Sequence, residues 1–190
     1  MADSDRIVAQ WAMMGRRIDQ NAPDIPMPTA PALQDLAHPD NVCYGCGREH
    51  PSGLRIKSRW DADGVHVIAQ HLPRAEFAGW TNRVYGGLLA MLVDCHCNWT
   101  AMAHHYRAEG RAPGSLPPIH CVTAHLGLDY LKPTPMGQEL MLRARVEGET
   151  GRKTRVLCEV IAAGEITARG DSVFVRVDPA RFMENTASGA

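Results

Sequence analysis

The stretch Gly86-Gly-Leu-Leu-Ala-Met-Leu-Val-Asp94-Cys-His-Cys-Asn-Trp-Thr-Ala-Met-Ala-His-His-Tyr-Arg-Ala108 decides the fold. It holds no proline and is apolar almost all round, with Leu88, Leu89, Met91, Leu92, Val93, Trp99, Met102 and Ala103 distributed over every face. At 3.6 residues per turn it is long enough for roughly six helical turns. A helix hydrophobic on nearly every face is a buried one. One carboxylate, Asp94, sits in its middle.

Outward from this helix the pattern changes period. Upstream, Leu54 to Trp60 alternates apolar and polar residues, as a half-buried strand does. After an Asp61–Gly64 turn, Val65 to His71 reads as its hairpin partner. A loop with Gly79 and Asn82 leads into the helix. Downstream, Pro113, Gly114, Pro117 and Pro118 stop it. Alternation then returns in Val122, Ala124, Leu126, Leu128 and Tyr130, in Leu140 to Val146, and in Thr154 to Val160. A last strand spans about Glu165 to Val177, with a bulge expected at Gly170. The order is two strands, a buried helix, then a meander of three or four strands. An α+β domain with one long antiparallel sheet wrapped around one central helix satisfies it.

At the amino end, Ile7, Val8, Trp11, Met14 and Ile18 recur at helical spacing. Prolines at 23, 26, 28, 31 and 39 forbid a long helix after it and predict an extended surface linker. The expected organisation is therefore an extension over 1–42, a globular domain over 43–178 and a tail over 179–190.

The 190 residues suit one domain, and 45% apolar with 22% charged residues is an ordinary globular composition. A net charge of −1 with no long basic stretch argues against nucleic acid as partner. The apolar run around Leu88 to Val93 is far short of the ~20 residues of a membrane span. The acidic start, Met1 to Asp5, leads into no export signal, so a cytoplasmic protein is expected, with most of its six cysteines as thiols rather than a disulfide framework.

Three segments resemble the hotdog fold, specifically the PaaI-like branch of acyl-CoA thioesterases, between about Cys43 and Asp178. Cys43-Tyr-Gly-Cys-Gly47 with His50-Pro-Ser-Gly-Leu54 is similar to the opening motif of one subgroup. Tyr85-Gly-Gly-Leu-Leu-Ala-Met-Leu-Val-Asp94 resembles the family's His-Gly-Gly helix start, whose carboxylate follows nine residues after the histidine. Val122-Thr-Ala-His-Leu-Gly-Leu-Asp-Tyr-Leu-Lys-Pro-Thr-Pro-Met-Gly137 resembles the strand and turn beyond the helix. Tyr85 departs from the family's histidine. A phenol donates a hydrogen bond but does not titrate near neutrality.

The resemblance implies hydrolysis of an acyl-CoA thioester, with coenzyme A part of the substrate and no separate cofactor. Asp94 is expected as general base or nucleophile, since a carboxylate in such a helix needs partners or a task. The family comparison makes the Gly86 amide the oxyanion donor; free N–H groups at a helix start, here of Gly86 and Gly87, suit that role. Thr123 falls where the family carries a Ser or Thr that positions water or the carboxylate. Tyr85 and Asn82 are weaker substrate-binding candidates, Asn82 fitting turn chemistry as well. Lys132, Arg152, Lys153 and Arg155 are basic candidates for the nucleotide of coenzyme A. A non-catalytic acyl-CoA binding or sensing protein is the alternative.

Asp94 lies eight residues, or about 12 Å of helix axis, beyond Gly86. Attack needs contacts near 3 Å, so one helix cannot bring both to one carbonyl. The active site therefore requires two chains, and a dimer or dimer of dimers is expected. His96 points away from the face of Asp94 and reads as a packing residue. Cys43-x-x-Cys46 with His50 lacks a second ligand pair at usual spacing, and no metal is expected.

Overall fold

The computed structural model describes residues 29–178. The expected helix over Ile7–Ile18, the prolines at 23, 26 and 28, and the tail over 179–190 lie outside the described residues.

The central helix, α2, spans Gly86–Ala108, as the sequence predicts. Around it are β1 (Lys57–Trp60), β2 (Val67–His71), β5 (His120–Tyr130), β6 (Leu140–Glu147), β7 (Lys153–Ala162) and β8 (Glu165–Val177). These six form one antiparallel sheet in the order β1-β2-β6-β7-β8-β5. After the helix, β6, β7 and β8 form a three-stranded meander, while β5 docks on the far side of β8 rather than beside β6. Before the helix, a small hairpin of β3 (Ala78–Trp80) and β4 (Arg83–Val84) turns through Thr81 and Asn82. One long antiparallel sheet packed on one main helix is the hotdog fold.

Alternation builds the core. Along β7, Thr154, Val156, Cys158, Val160 and Ala162 are buried while their neighbours are not. Val156, Cys158, Val160 and Ala162 meet Leu88, Leu89, Leu92 and Val93 of α2 in one cluster. Gly170 contributes to this contact rather than to the expected bulge: a Cβ there would lie 2.5 Å from Val93 Cγ1. The bulge falls instead at Thr167, where the β7–β8 register shifts between Val160 and Ile161. Its carbonyl accepts the amides of Leu131 and Lys132, at 2.9 and 3.1 Å. A residue left over in one strand frees its backbone for such loop contacts.

The expected surface linker also differs. Leu33–Ala37 forms a single helical turn, α1, and Ala32, Leu33 and Gln34 are buried. Gln34 exchanges two hydrogen bonds with Ser58, Nε2 to Oγ at 3.0 Å and Ser58 N–H to Oε1 at 2.8 Å. Ser58 Oγ in turn lies 2.9 Å from His96 Nδ1, and His96 Nε2 lies 3.1 Å from the Val67 carbonyl. A carbonyl only accepts, so Nε2 carries the proton and Nδ1 accepts from Ser58. The packed body thus begins by residue 32, ahead of the expected start at Cys43.

Candidate active site

From Gly87 to Ala103, helix α2 is buried except along one stripe. Gly87, Ala90, Met91, Asp94 and Asn98 follow one another at steps of one to four residues and are only partly covered. Asp94 is therefore half-buried on the one open face rather than sunk among the leucines. Strand β5 borders that stripe on one side: Thr123 Oγ1 donates to Asp94 Oδ1 at 2.7 Å, and Asn98 Nδ2 donates to the Cys121 carbonyl at 3.1 Å. The loop Asp40–Cys46 borders it too. Between them opens a cavity of about 390 Å³ whose lining includes Asp94, Cys43, Asn98, Trp99 and His120.

Burial pushes the Asp94 carboxyl above the ordinary carboxylate value, the Thr123 hydroxyl opposes this, and the nearby Cys43 sulfur adds to it. A carboxylate so placed is a better proton acceptor than a solvated one, yet the hydrogen bond from Thr123 keeps the ionised form within reach.

Strict alternation along β5 would turn Thr123 away from the helix, on the face opposite Val122 and Leu126. The register against β8 shifts between Thr123 and His125, which inserts Ala124 as an extra residue. A one-residue shift exchanges the two faces of a strand. Cys121 and Thr123 therefore face α2 before the shift, and Leu128 and Tyr130 face it afterwards, where Leu128 packs on the core and Tyr130 reaches Gly86.

Gly86 and Gly87 are the first two residues of α2, so their amides have no partner one turn earlier within the helix. Tyr130 Oη donates to the Gly86 carbonyl at 2.9 Å, and its ring would stand 3.1 Å from a Cβ at Gly86. The sequence reading missed Tyr130; its place in the strand after the helix was the available signal. The Tyr85 ring lies back over Gly87, where a Cβ would come within 2.4 Å of it. Tyr85 is 55% exposed, and its amide donates to Phe77 O at 2.7 Å. Its phenol thus packs on the first turn of the helix.

Asn82 takes a left-handed conformation (φ +58°) in the β3–β4 turn, and its carbonyl accepts the Met136 amide at 3.0 Å. The basic candidates are not brought together. Lys132 pairs with Glu165 at 2.7 Å, beyond the end of β5 that pairs with Ala168. Lys153 pairs with Val175, seven residues further along β8, or about 23 Å away at 3.3 Å per residue. Arg152 is exposed at that same far end, and Arg155 is engaged by Asp171 at 2.5 Å. His96 is fully buried in the Gln34–Ser58 relay, away from Asp94. The fold also brings Cys95 of α2 beside Cys43 and Cys46, supplying a third sulfur that spacing along the chain did not reveal.

Comparison with known proteins places this architecture. A family profile described as the thioesterase superfamily matches residues 81–168. The chain is similar to a thioesterase superfamily protein from Shewanella loihica PV-4, with 35% identity over 69% of this chain and 96% of that one, at a TM-score of 0.54. A phenylacetic acid degradation-related protein from Ralstonia eutropha JMP134 aligns at 21% identity over 64% and 85% of the two chains, at a TM-score of 0.51, and shares the fold. The chain belongs to the thioesterase superfamily. That membership supports thioester hydrolysis in general. Among the described residues no helix is long and apolar enough to cross a membrane.

Proposed function

We propose that the protein is a PaaI-like thioesterase that hydrolyses an acyl-CoA thioester, with Asp94 as its catalytic carboxylate. The observation that carries this reading is the half-buried Asp94, held by Thr123 at 2.7 Å, facing a cavity large enough for a reacting group. The substrate carbonyl sits at the Gly86 amide of one protomer and the Asp94 carboxylate of the other. Among the described residues, strand β5 ends the sheet with an unpaired edge, and Leu126, Tyr130 and Leu131 are exposed on or beside it. An unpaired edge with apolar side chains favours a second copy of the chain there.

In the reaction, Asp94 takes a proton from water as the water oxygen bonds to the carbonyl carbon. Charge gathers on the carbonyl oxygen at the Gly86 amide and the positive end of α2. The tetrahedral intermediate collapses with loss of the coenzyme A thiolate, which recovers the proton from Asp94. Thr123, donating to Asp94, has lone pairs left to receive the water. Free acid and coenzyme A result, and no further cofactor takes part. The reading places this chemistry in the cytoplasm.

A thiol-release assay over acyl-CoA substrates of varied chain length and aromaticity tests the proposal, with Asp94→Ala and Asp94→Asn beside the parent protein. Turnover by the parent and its loss in both variants is expected. Ligand binding with no thiol released would favour the non-catalytic acyl-CoA sensor instead.

A further inference from the structure

We propose that Cys43, Cys46 and Cys95 form a binding site for one thiophilic divalent cation of the zinc class, with its fourth position open to the cavity beside Asp94. Their three sulfurs lie within 4.8 Å of one another, and Cys43 Sγ is 3.8 Å from Cys95 Sγ. A tetrahedral ion with bonds of about 2.3 Å to sulfur sets its ligands roughly 3.8 Å apart. The Cys43–Cys95 pair is thus already at ligand spacing, and the remaining pairs exceed it by no more than about 1 Å.

The backbone is shaped to hold them there. Gly47 N–H donates to the Cys43 carbonyl at 2.7 Å, and Cys43 N–H donates to Asn41 Oδ1 at 2.8 Å, closing the Cys43–Gly47 loop into a tight knuckle. Gly45 presses on the helix so closely that a Cβ would stand 2.3 Å from Cys95 Sγ. At Gly47 a Cβ would stand 2.5 Å from the Asn41 carbonyl. Only glycine lets the knuckle close and seat against α2 at once.

The surroundings supply hydrogen bonds to the sulfurs. Trp99 Nε1 donates to Cys46 Sγ at 3.2 Å and Asn41 Nδ2 does so at 3.6 Å. Cys43 Sγ and Cys95 Sγ are also close enough to share a hydrogen bond. Clustered sulfurs, outer hydrogen bonds to them and an exposed approach at Cys43 are the features a metal site needs.

The test uses the full chain, reduced, stripped with a chelator and desalted without oxygen, then titrated with Co²⁺ and afterwards Zn²⁺. One Co²⁺ per chain is expected, with near-ultraviolet thiolate charge-transfer absorption and the visible bands of a tetrahedral site, all abolished by Zn²⁺. Cys43→Ser, at an exposed position, should weaken binding at least about tenfold. Cys121→Ser, on the rim of the same cavity but outside the cluster, should keep the bands. Saturating Co²⁺ without thiolate bands, or a Cys43→Ser spectrum equal to the parent, overturns the site. So does the loss of two titratable thiols with no bound metal, which would mean a Cys43–Cys95 disulfide. The readout is absorption and not turnover, so this site stands or falls separately from the hydrolysis reading.

Discussion

Thr123 Oγ1 donates to Asp94 Oδ1 across 2.7 Å, tying the edge strand β5 to the open face of the central helix. The bond favours the ionised carboxylate against the burial that disfavours it. Replacing Thr123 with Val should therefore raise the Asp94 pKa further. Because Asp94 acts ionised, the acid limb of the kcat/KM profile should move to higher pH in Thr123→Val. An unmoved limb would separate Thr123 from the titration of Asp94.

Asp94→Asn keeps the shape of the side chain and removes the base. Its kcat should fall by about 10²–10⁴-fold, with folding checked by thermal melting. Comparable turnover would exclude the assigned role.

The shared site can be tested by mixing. Proline is well suited to the first position of a helix and removes the N–H there; Tyr85, at φ −60° and ψ 126°, already has the extended backbone that precedes proline. The Tyr130 ring, 3.1 Å from a Cβ at Gly86, must give by a few tenths of an ångström, so folding of the variant is checked by thermal melting; Gly86→Pro and Asp94→Asn should then each be folded but inactive alone. Unfolded and refolded together, they should regain activity, since each mixed dimer holds one intact site. No recovery, with mixed dimers shown to form, would place both groups in one chain's site.

His96 and His104 are both brought down to about 4, in each case first by burial, against an ordinary value of 6.5. The unfolded chain then binds protons between pH 6.5 and about 4 that the folded chain refuses. Stability should be full above about pH 6.5 and fall as pH drops toward 4. Urea midpoints measured across that range check the slope, and a flat profile would contradict it.

Gly170→Ala forces a methyl to within 2.5 Å of Val93 Cγ1. The expected cost is about 1–3 kcal/mol from overpacking, read from denaturant midpoints. Val93→Ala in the same chain should recover part of the loss by making room.

The limits of helix α2 and the order of the major strands were legible because each rests on a hydrophobic period. Asp94 stood out as a charge inside an apolar run, and Gly86 and Gly87 as the start of that run. What periodicity cannot carry is an added residue. The extra Ala124 reverses which side chains of β5 meet the helix, and so turns Thr123 toward Asp94. Likewise Gly170 looked like a bulge because glycine permits one, whereas the helix needed a place without a side chain. Cys95 joined Cys43 and Cys46 only through tertiary contact across 52 residues of sequence. Gln34 was hidden among prolines that suggested a surface strap.

The relay from Gln34 through Ser58 and His96 to the Val67 carbonyl runs in one direction and ends inside the sheet. The short stretch before the first cysteine therefore works as a keel for the domain. Any transplant of this domain into a larger polypeptide has to carry residues 32–34 with it, because a cut at Cys43 would strand a serine and an imidazole in the interior without their outermost donor.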